Sequence, residues 1–367
     1  MILRDDPDMA TLREVVRDFL DEGEVAAASE DRPRWDPARW SRACSELGLA
    51  GVAEPEALGG AGIGGAGLAI VLEEAGRVLS PLPILGSVVL GQGLLARAGD
   101  AEARAAMLPA LLDGSRTATV ALGALRDDGT VPEDLEAVAD VEGRWTITGS
   151  TSFVLDGATA DWVFLRAGTP DGPRLFVIDT EDRGVATTVQ NSMDLTRSFA
   201  RLDLAAAVAR PLGAAGTADA VLTELRTALT VAVACEQLGG AEQALRMAVE
   251  YAKVRVQFGR EIGSFQAVKH RCADLAILLD DARSALAHAI WALHEEPDRL
   301  RMAAPMAAVV CSRAFLDCAR ENIQLHGGIG FTWEHPAHLY FRRATSDAAL
   351  FGDVNRHRED VLTAMGI

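Results

Sequence analysis

Apolar positions recur along this chain with two periods, and the period changes twice. In the first 115 residues apolar side chains fall in short helical stretches separated by turns. Trp40, Cys44 and Leu47 share one helical face, and Gly48 and Gly51 stand where a helix ends. "PEALGGAGIGG", Pro55 to Gly65, then leads into the apolar-periodic "LAIVLEEAGRVL". From about 116 to 213 the pattern shortens. "TATVAL", "WTITG", "SFVL", "DWVFLRA", "RLFVID" and "FARLDL" are β-prone runs separated by turn signals such as Asp127-Asp128-Gly129 and Asp171-Gly172. From about 217 the helical period returns. Leu222, Leu225, Leu229, Val233, Glu236, Gly240, Ala244, Met247 and Tyr251 follow one face of a long helix. Val268, Cys272, Leu275, Leu279, Ala282, Leu286, Ile290 and Leu293 mark a second helix, with Ser264 its expected N-cap. A third is expected from Pro305 to about Gln324, stopped by Gly327 and Gly328, and a last short one after Asp353. The prediction is an α+β chain in three domains. These are an N-terminal helical domain (1–115), a middle antiparallel β-barrel or sandwich (116–213) and a C-terminal four-helix bundle (214–367).

Composition narrows the partners. The 367 residues carry 35 basic against 53 acidic side chains, a formal charge of -18, so nucleic acid is not an expected partner. A local basic site remains compatible with that balance. The five cysteines, Cys44, Cys235, Cys272, Cys311 and Cys318, form no CxxC pair. They read as reduced structural thiols of a cytoplasmic protein, with no metal site expected. The acidic N-terminus lacks the apolar core of a signal peptide, and no uninterrupted apolar run is long enough to span a bilayer. The glycine-rich loop before the helix could cradle phosphate, but it matches neither GxGxxG context nor GxxxxGK[ST] and reads as a flexible connector.

The chemistry concentrates in "YAKVRVQFGREIGSFQAVKH", Tyr251 to His270, which holds the chain's two lysines, Lys253 and Lys269. This stretch resembles the Y-A-x-x-R-x-Q-F-G-x-x-I-x-x-F-Q signature of the acyl-CoA dehydrogenase family. "ENIQLHGGIGFTWEHPAHLYFRRA" is similar to that family's Q-x-x-G-G-x-G segment, and "PEALGGAG" to its N-terminal P-E-x-x-G-G-x-G turn. The three matches occur in order with α, β and α zones between them. The resemblance implies FAD, acyl-CoA thioester substrates in lipid β-oxidation, an electron acceptor such as an electron-transfer flavoprotein, and a homotetramer or related dimer of dimers. It also implies that Arg255, Phe258 and Gln266, with Gln324, Gly327 and Gly328, contact FAD bound mainly to a neighbouring subunit. The chemistry suits this. An arginine fork satisfies a pyrophosphate, a helix start offers free amides, and glycine lets backbone approach a flat or charged group.

The departures from that pattern lie in the reaction centre. The reaction needs a carboxylate to take the α-proton. One family position for that glutamate corresponds to Phe351, within Phe351-Gly352-Asp353; the other, 26 residues before Arg255, to Leu229. Neither side chain accepts a proton. The family's T-E-P-x-x-G-S-D stretch is replaced by "VALGALRDDG", Val120 to Gly129. Its W-I-T-N-G run becomes Phe153-Val154-Leu155-Asp156-Gly157, with Leu155 lacking the threonine hydroxyl. Glu236, about 10 Å along the helix from Leu229, and Asp353 are weak substitute bases. No catalytic residue is therefore assigned. The expected role is the non-catalytic chain of a heteromeric α2β2 acyl-CoA dehydrogenase, completing a catalytic partner subunit's FAD site. An active homotetramer with an unusual base and a flavin-free scaffold are the alternatives.

Overall fold

The computed structural model describes residues 7–22, 35–121, 123, 133–350 and 352–367. The first layer is helical: α1 (Pro7–Asp21), α2 (Pro37–Leu47), α3 (Gly65–Arg77), α4 (Gly93–Arg97) and α5 (Ala101–Leu112). Asp36 caps α2 by accepting from the Ala38 amide, and Gly48 ends it at φ 61°. The glycine-rich run is ordered, unlike the flexible connector expected. Amides of Gly60, Ala61, Gly62 and Gly64 donate to carbonyls of Pro55, Gly51, Glu54 and Val52. Those bonds use the amides that a phosphate cradle would need free. Buried residues Ile84–Gln92 form a π-helical stretch leading into α4.

Seven strands make the middle sheet: β1 (Ala118–Val120), β2 (Glu133–Ala139), β3 (Trp145–Leu155), β4 (Trp162–Ala167), β5 (Arg174–Asp179), β6 (Val185–Gln190) and β7 (Phe199–Leu212). Their order is β1-β4-β5-β7-β3-β2, with β6 also on β7. The expectation of a purely antiparallel sheet is corrected at one edge, where β1 runs parallel to β4. The runs "WTITG" and "SFVL" are one strand, β3, interrupted by register shifts at Ile147/Gly149 and Thr151/Val154. At the first, Gly149 has φ 131°, and a Cβ there would strike the Asp134 carbonyl. The second turns Phe153 to φ 56° and re-aims the strand end. Leu155 and Asp156 thereby point into the interior.

The C-terminal helices are α6 (Ala218–Val254), α7 (Gln266–Glu295), α8 (Pro297–His326), α9 (Ala337–Leu350) and α10 (Val354–Ala364). Two expected helix starts shift. Ser264 does not cap α7; its hydroxyl donates to the Glu261 carbonyl, and Phe265 occupies the N-cap without a side-chain bond. Pro305 does not open a helix but lies inside α8, which starts at Pro297, a proline suited to a first turn. Asp353 caps α10 through the Asn355 amide, which occupies the carboxylate considered as a base. Helices α6, α7 and α8 pack together, and α9 and α10 lie on α8. A close crossing joins α6 to α3, where a Cβ on Gly76 or Gly239 would strike the carbonyl of Glu236 or Glu73. One described helix, Pro297–Phe331, is long and apolar enough by length and composition to cross a membrane, though Arg313 and Asp317 interrupt its apolar run. Its alanines raise the hydropathy, and 61% of that apolar window is buried inside the fold.

Candidate functional site

Two polar regions emerge, one facing outward and one sealed inside. The outward one begins where α6 ends. Arg255 leaves the helix in an extended conformation. A two-stranded hairpin follows, β8 (Val256–Gln257) and β9 (Arg260–Glu261), in which Gln257 pairs with Arg260. Phe258 and Gly259 are thus the two-residue loop, and both have positive φ, 53° and 74°. Mirror-type hairpin turns require this, but asparagine or glycine normally serves, because a bulky side chain there is strained. Phe258 is nevertheless 91% exposed and meets Phe265 edge-on at 6.2 Å. The Arg260 guanidinium lies over Phe265, 4.0 Å from its centroid. Arg255 is exposed, and among the described residues its guanidinium has no partner. Gln266, also exposed, opens α7, whose N-terminus receives no side-chain cap.

The second outward segment is the end of α8. Gln324, Gly327 and Gly328 are exposed, Gly327 has φ 63°, and a Cβ on either glycine would meet nothing within 4 Å. The two segments lie at the same end of the bundle. Tyr251, one turn before Arg255, stacks on His326, the residue before Gly327, with centroids 4.2 Å apart. Ile329, Phe331 and Trp333 continue an exposed apolar surface beyond the glycines.

The inward region joins β3, the loop before β7, α6 and α9. Arg343 is 2% exposed. Its Nη2 donates to the Thr196 Oγ1 and carbonyl (2.6 and 3.1 Å), and its Nε lies 2.8 Å from Asp194 Oδ2. Thr196 in turn donates from Oγ1 and its amide to Asp194 Oδ1. Arg197 pairs with Glu236 Oε2 and lies 3.1 Å from Asp347 Oδ1. Burial pulls the Arg197 guanidinium's pKa down, but Asp347, Glu236 and Asp194 together hold it above its ordinary value. Two guanidiniums thus face the carboxyls of Asp194, Glu236 and Asp347, with Asp156 close enough to feel both. Desolvation pushes Asp156 up to about 7 and Asp347 up to about 6, against the pull of Arg197 and Arg343. Asp156 also fits only because residue 86 is glycine; a Cβ there would be 2.7 Å from its Oδ2.

This arrangement answers the question about Glu236. Its carboxylate is engaged in an ion pair with Arg197. Leu155 and Leu229 are both buried apolar side chains, at 2% and 4% exposure. Phe351 and most of the run from Val120 to Gly129 lie outside the described residues. Sequence reasoning missed Arg197, Arg343 and Asp347. A signal was present: Arg343 and Asp347 stand four apart on the face of α9 that carries Leu339, Tyr340 and Ala344.

The chain is thus layered helical, sheet, helical, with both outward segments at one end of the bundle. Residues 6–115 match the family description "Acyl-CoA dehydrogenase, N-terminal domain", and residues 220–366 match "Acyl-CoA dehydrogenase, C-terminal domain". The chain is 40% identical over 332 residues to the acyl-CoA dehydrogenase IpdE2 of Mycobacterium tuberculosis, covering 89% of this chain and 85% of that protein. It superposes on a chain of the ChsE4-ChsE5 complex of M. tuberculosis with TM-score 0.87 at 30% identity, covering 100% and 99% of the two chains. A variant of the Tcur3481-Tcur3483 steroid ACAD gives TM-score 0.84 at 30% identity, covering 97% of each chain. The chain belongs to the acyl-CoA dehydrogenase family. Members of this family are oxidoreductases acting on CH–CH bonds and normally bind FAD.

Proposed function

We propose that this chain is the non-catalytic subunit of a heteromeric, FAD-dependent acyl-CoA dehydrogenase. It lends Arg255, Phe258, Gln266, Gln324, Gly327 and Gly328 to FAD held mainly by a catalytic partner chain. The observation that carries the reading is the contrast between its two polar regions. The outward residues fit a pyrophosphate and a flat ring system: an unpartnered guanidinium, open glycines and an uncapped helix start. The inward residues do not fit a flavin ring and thioester of this chain's own. Leu155 offers no hydroxyl, and the neighbouring interior is occupied by a buried ion network.

In the complex FAD would supply the acceptor for a hydride from the acyl β-carbon, and the base that takes the α-proton would come from the partner chain. Arg255 would donate its fork to the pyrophosphate, and the Gly327–Gly328 backbone would lie close against the cofactor because no side chain stands in the way. We take 1–115, 116–213 and 214–367 as the three domains, in keeping with helices to Leu112, strands from Ala118 to Leu212 and helices from Ala218. An α2β2 assembly with one FAD per unequal pair follows from this division of labour. Similarity to chains of the ChsE4-ChsE5 complex and of a steroid ACAD supports a partner subunit and a bulky acyl-CoA substrate. Arg255→Ala tests the assignment. In the purified complex it should weaken FAD retention at least about tenfold, the scale of one charge-assisted fork. Unchanged FAD retention would show that Arg255 does not reach the cofactor.

A further inference from the structure

The two outward segments come from different helices, and one aromatic stack joins them. Tyr251 lies against His326 with centroids 4.2 Å apart and planes 27° apart. His326 lies in turn against His335, 4.0 Å away at 35°. Each ring stands at a junction. Tyr251 precedes Arg255 by one turn, and its carbonyl accepts the Arg255 amide at 2.9 Å. His326 is the last residue of α8, its Nδ1 2.8 Å from the Asn322 carbonyl. His335 closes the loop after the glycines and accepts the Ala337 amide on Nδ1 at 3.2 Å, at the start of α9. A Cβ on Gly330 would come within 3.1 Å of the His326 Cβ, so the turn is folded tightly over this ring.

Resting on the cofactor reading above, we propose that Tyr251, His326 and His335 are positioning residues for the cofactor. Their stack locks the Arg255 strap and the Gly327–Gly328 turn into one rigid surface, so breaking it releases FAD without unfolding the chain. None of the three rings needs to touch FAD. The surroundings of the stack disfavour its charged form. Burial lowers the pKa of His326, and His335 falls to about 4 through burial and the neighbouring His326 and His338. His338 is itself lowered by burial and by Arg342, whose guanidinium lies over Trp333. Against this, the Asn322 carbonyl on His326 Nδ1 favours a proton there, but burial outweighs it.

The test uses the tagged chain purified with its partner from its native host, and reads FAD dissociation by flavin fluorescence alongside thermal unfolding. His335→Ala should raise the FAD dissociation constant about three- to tenfold, the weight of one aromatic pair. His335→Phe keeps the ring but gives up the Nδ1 acceptor, and should restore retention to within about twofold of wild type. Tyr251→Leu breaks the stack from the α6 side and should reproduce the alanine defect even if His335→Ala fails to fold. Retention in the wild type should fall as His335 titrates near 4, and only at lower pH in His335→Phe. If His335→Ala and Tyr251→Leu lower the unfolding temperature while FAD retention stays at wild-type level, the stack is structural only and the proposal fails. If Arg255→Ala also leaves retention unchanged, the cofactor reading fails with it; a loss in Arg255→Ala alone sinks only the stack.

Discussion

Arg343 and Arg255 belong to the same fold and carry the same charge, yet their surroundings are opposite. Arg343 is buried and bonded to Thr196 and Asp194. Arg255 is exposed, with no internal partner among the described residues, beside a phenylalanine held in strained backbone at the tip of a hairpin. A buried charge is retained only when counter-charges are built around it, and Asp194, Glu236 and Asp347 supply them to Arg197 and Arg343. The Arg255 guanidinium finds no such counter-charge among the described residues. Strain and unpartnered charge at one surface point to a user outside it.

The comparison can be broken at several points. The largest effect is expected at Arg343→Met, which leaves Asp194 and Glu236 short of a counter-charge and should cost about 3–5 kcal/mol in urea unfolding. The matching Arg255→Ala should change stability by less than about 0.5 kcal/mol. Equal losses would erase the distinction between the regions. Next is Asp156→Asn. The folded pKa of Asp156, about 7, lies above its unfolded value, so its contribution is complete below about pH 4 and lost as pH rises through 7. The asparagine variant should be more stable than wild type by about 4 kcal/mol at pH 8, with the gap vanishing near pH 4. Asparagine also suits the φ of 54° at this position. A gap that does not vary with pH would mean Asp156 is ionised at no cost. Phe258→Asn should relieve the hairpin by up to about 1 kcal/mol while weakening FAD retention in the complex. Stabilisation without loss of FAD would make the exposed ring idle. Smallest is Ser264→Ala, expected within about 0.5 kcal/mol of wild type, because Ser264 does not cap α7.

Much of the fold was legible because periodicity records which face is buried. The α6 stripe from Leu222 to Tyr251 and the α7 stripe from Leu275 to Ile290 pack as expected. Local capping was less legible. Ser264 looks like an N-cap, yet the preceding hairpin turns its hydroxyl back to Glu261. Pro305 looks like a helix start, yet the apolar packing of α8 carries the helix through it. Strands β2 and β6 escaped notice because β6 is largely exposed and β2 is acidic, so neither shows a clear apolar run. The outward residues were readable as motifs because they are contiguous in sequence. The inner cluster was not, since Asp156, Asp194, Arg197, Glu236, Arg343 and Asp347 come from four separate segments that only the fold brings together.

If this chain completes a flavin site it does not own, its flavin content depends on its partner. The most direct measurement is the flavin content of the pure chain, alone and in the complex recovered from its native host. The account predicts a colourless, inactive protein alone and one FAD per pair of unequal chains in the complex. A yellow, active protein made of this chain only, with one FAD per chain, would contradict it.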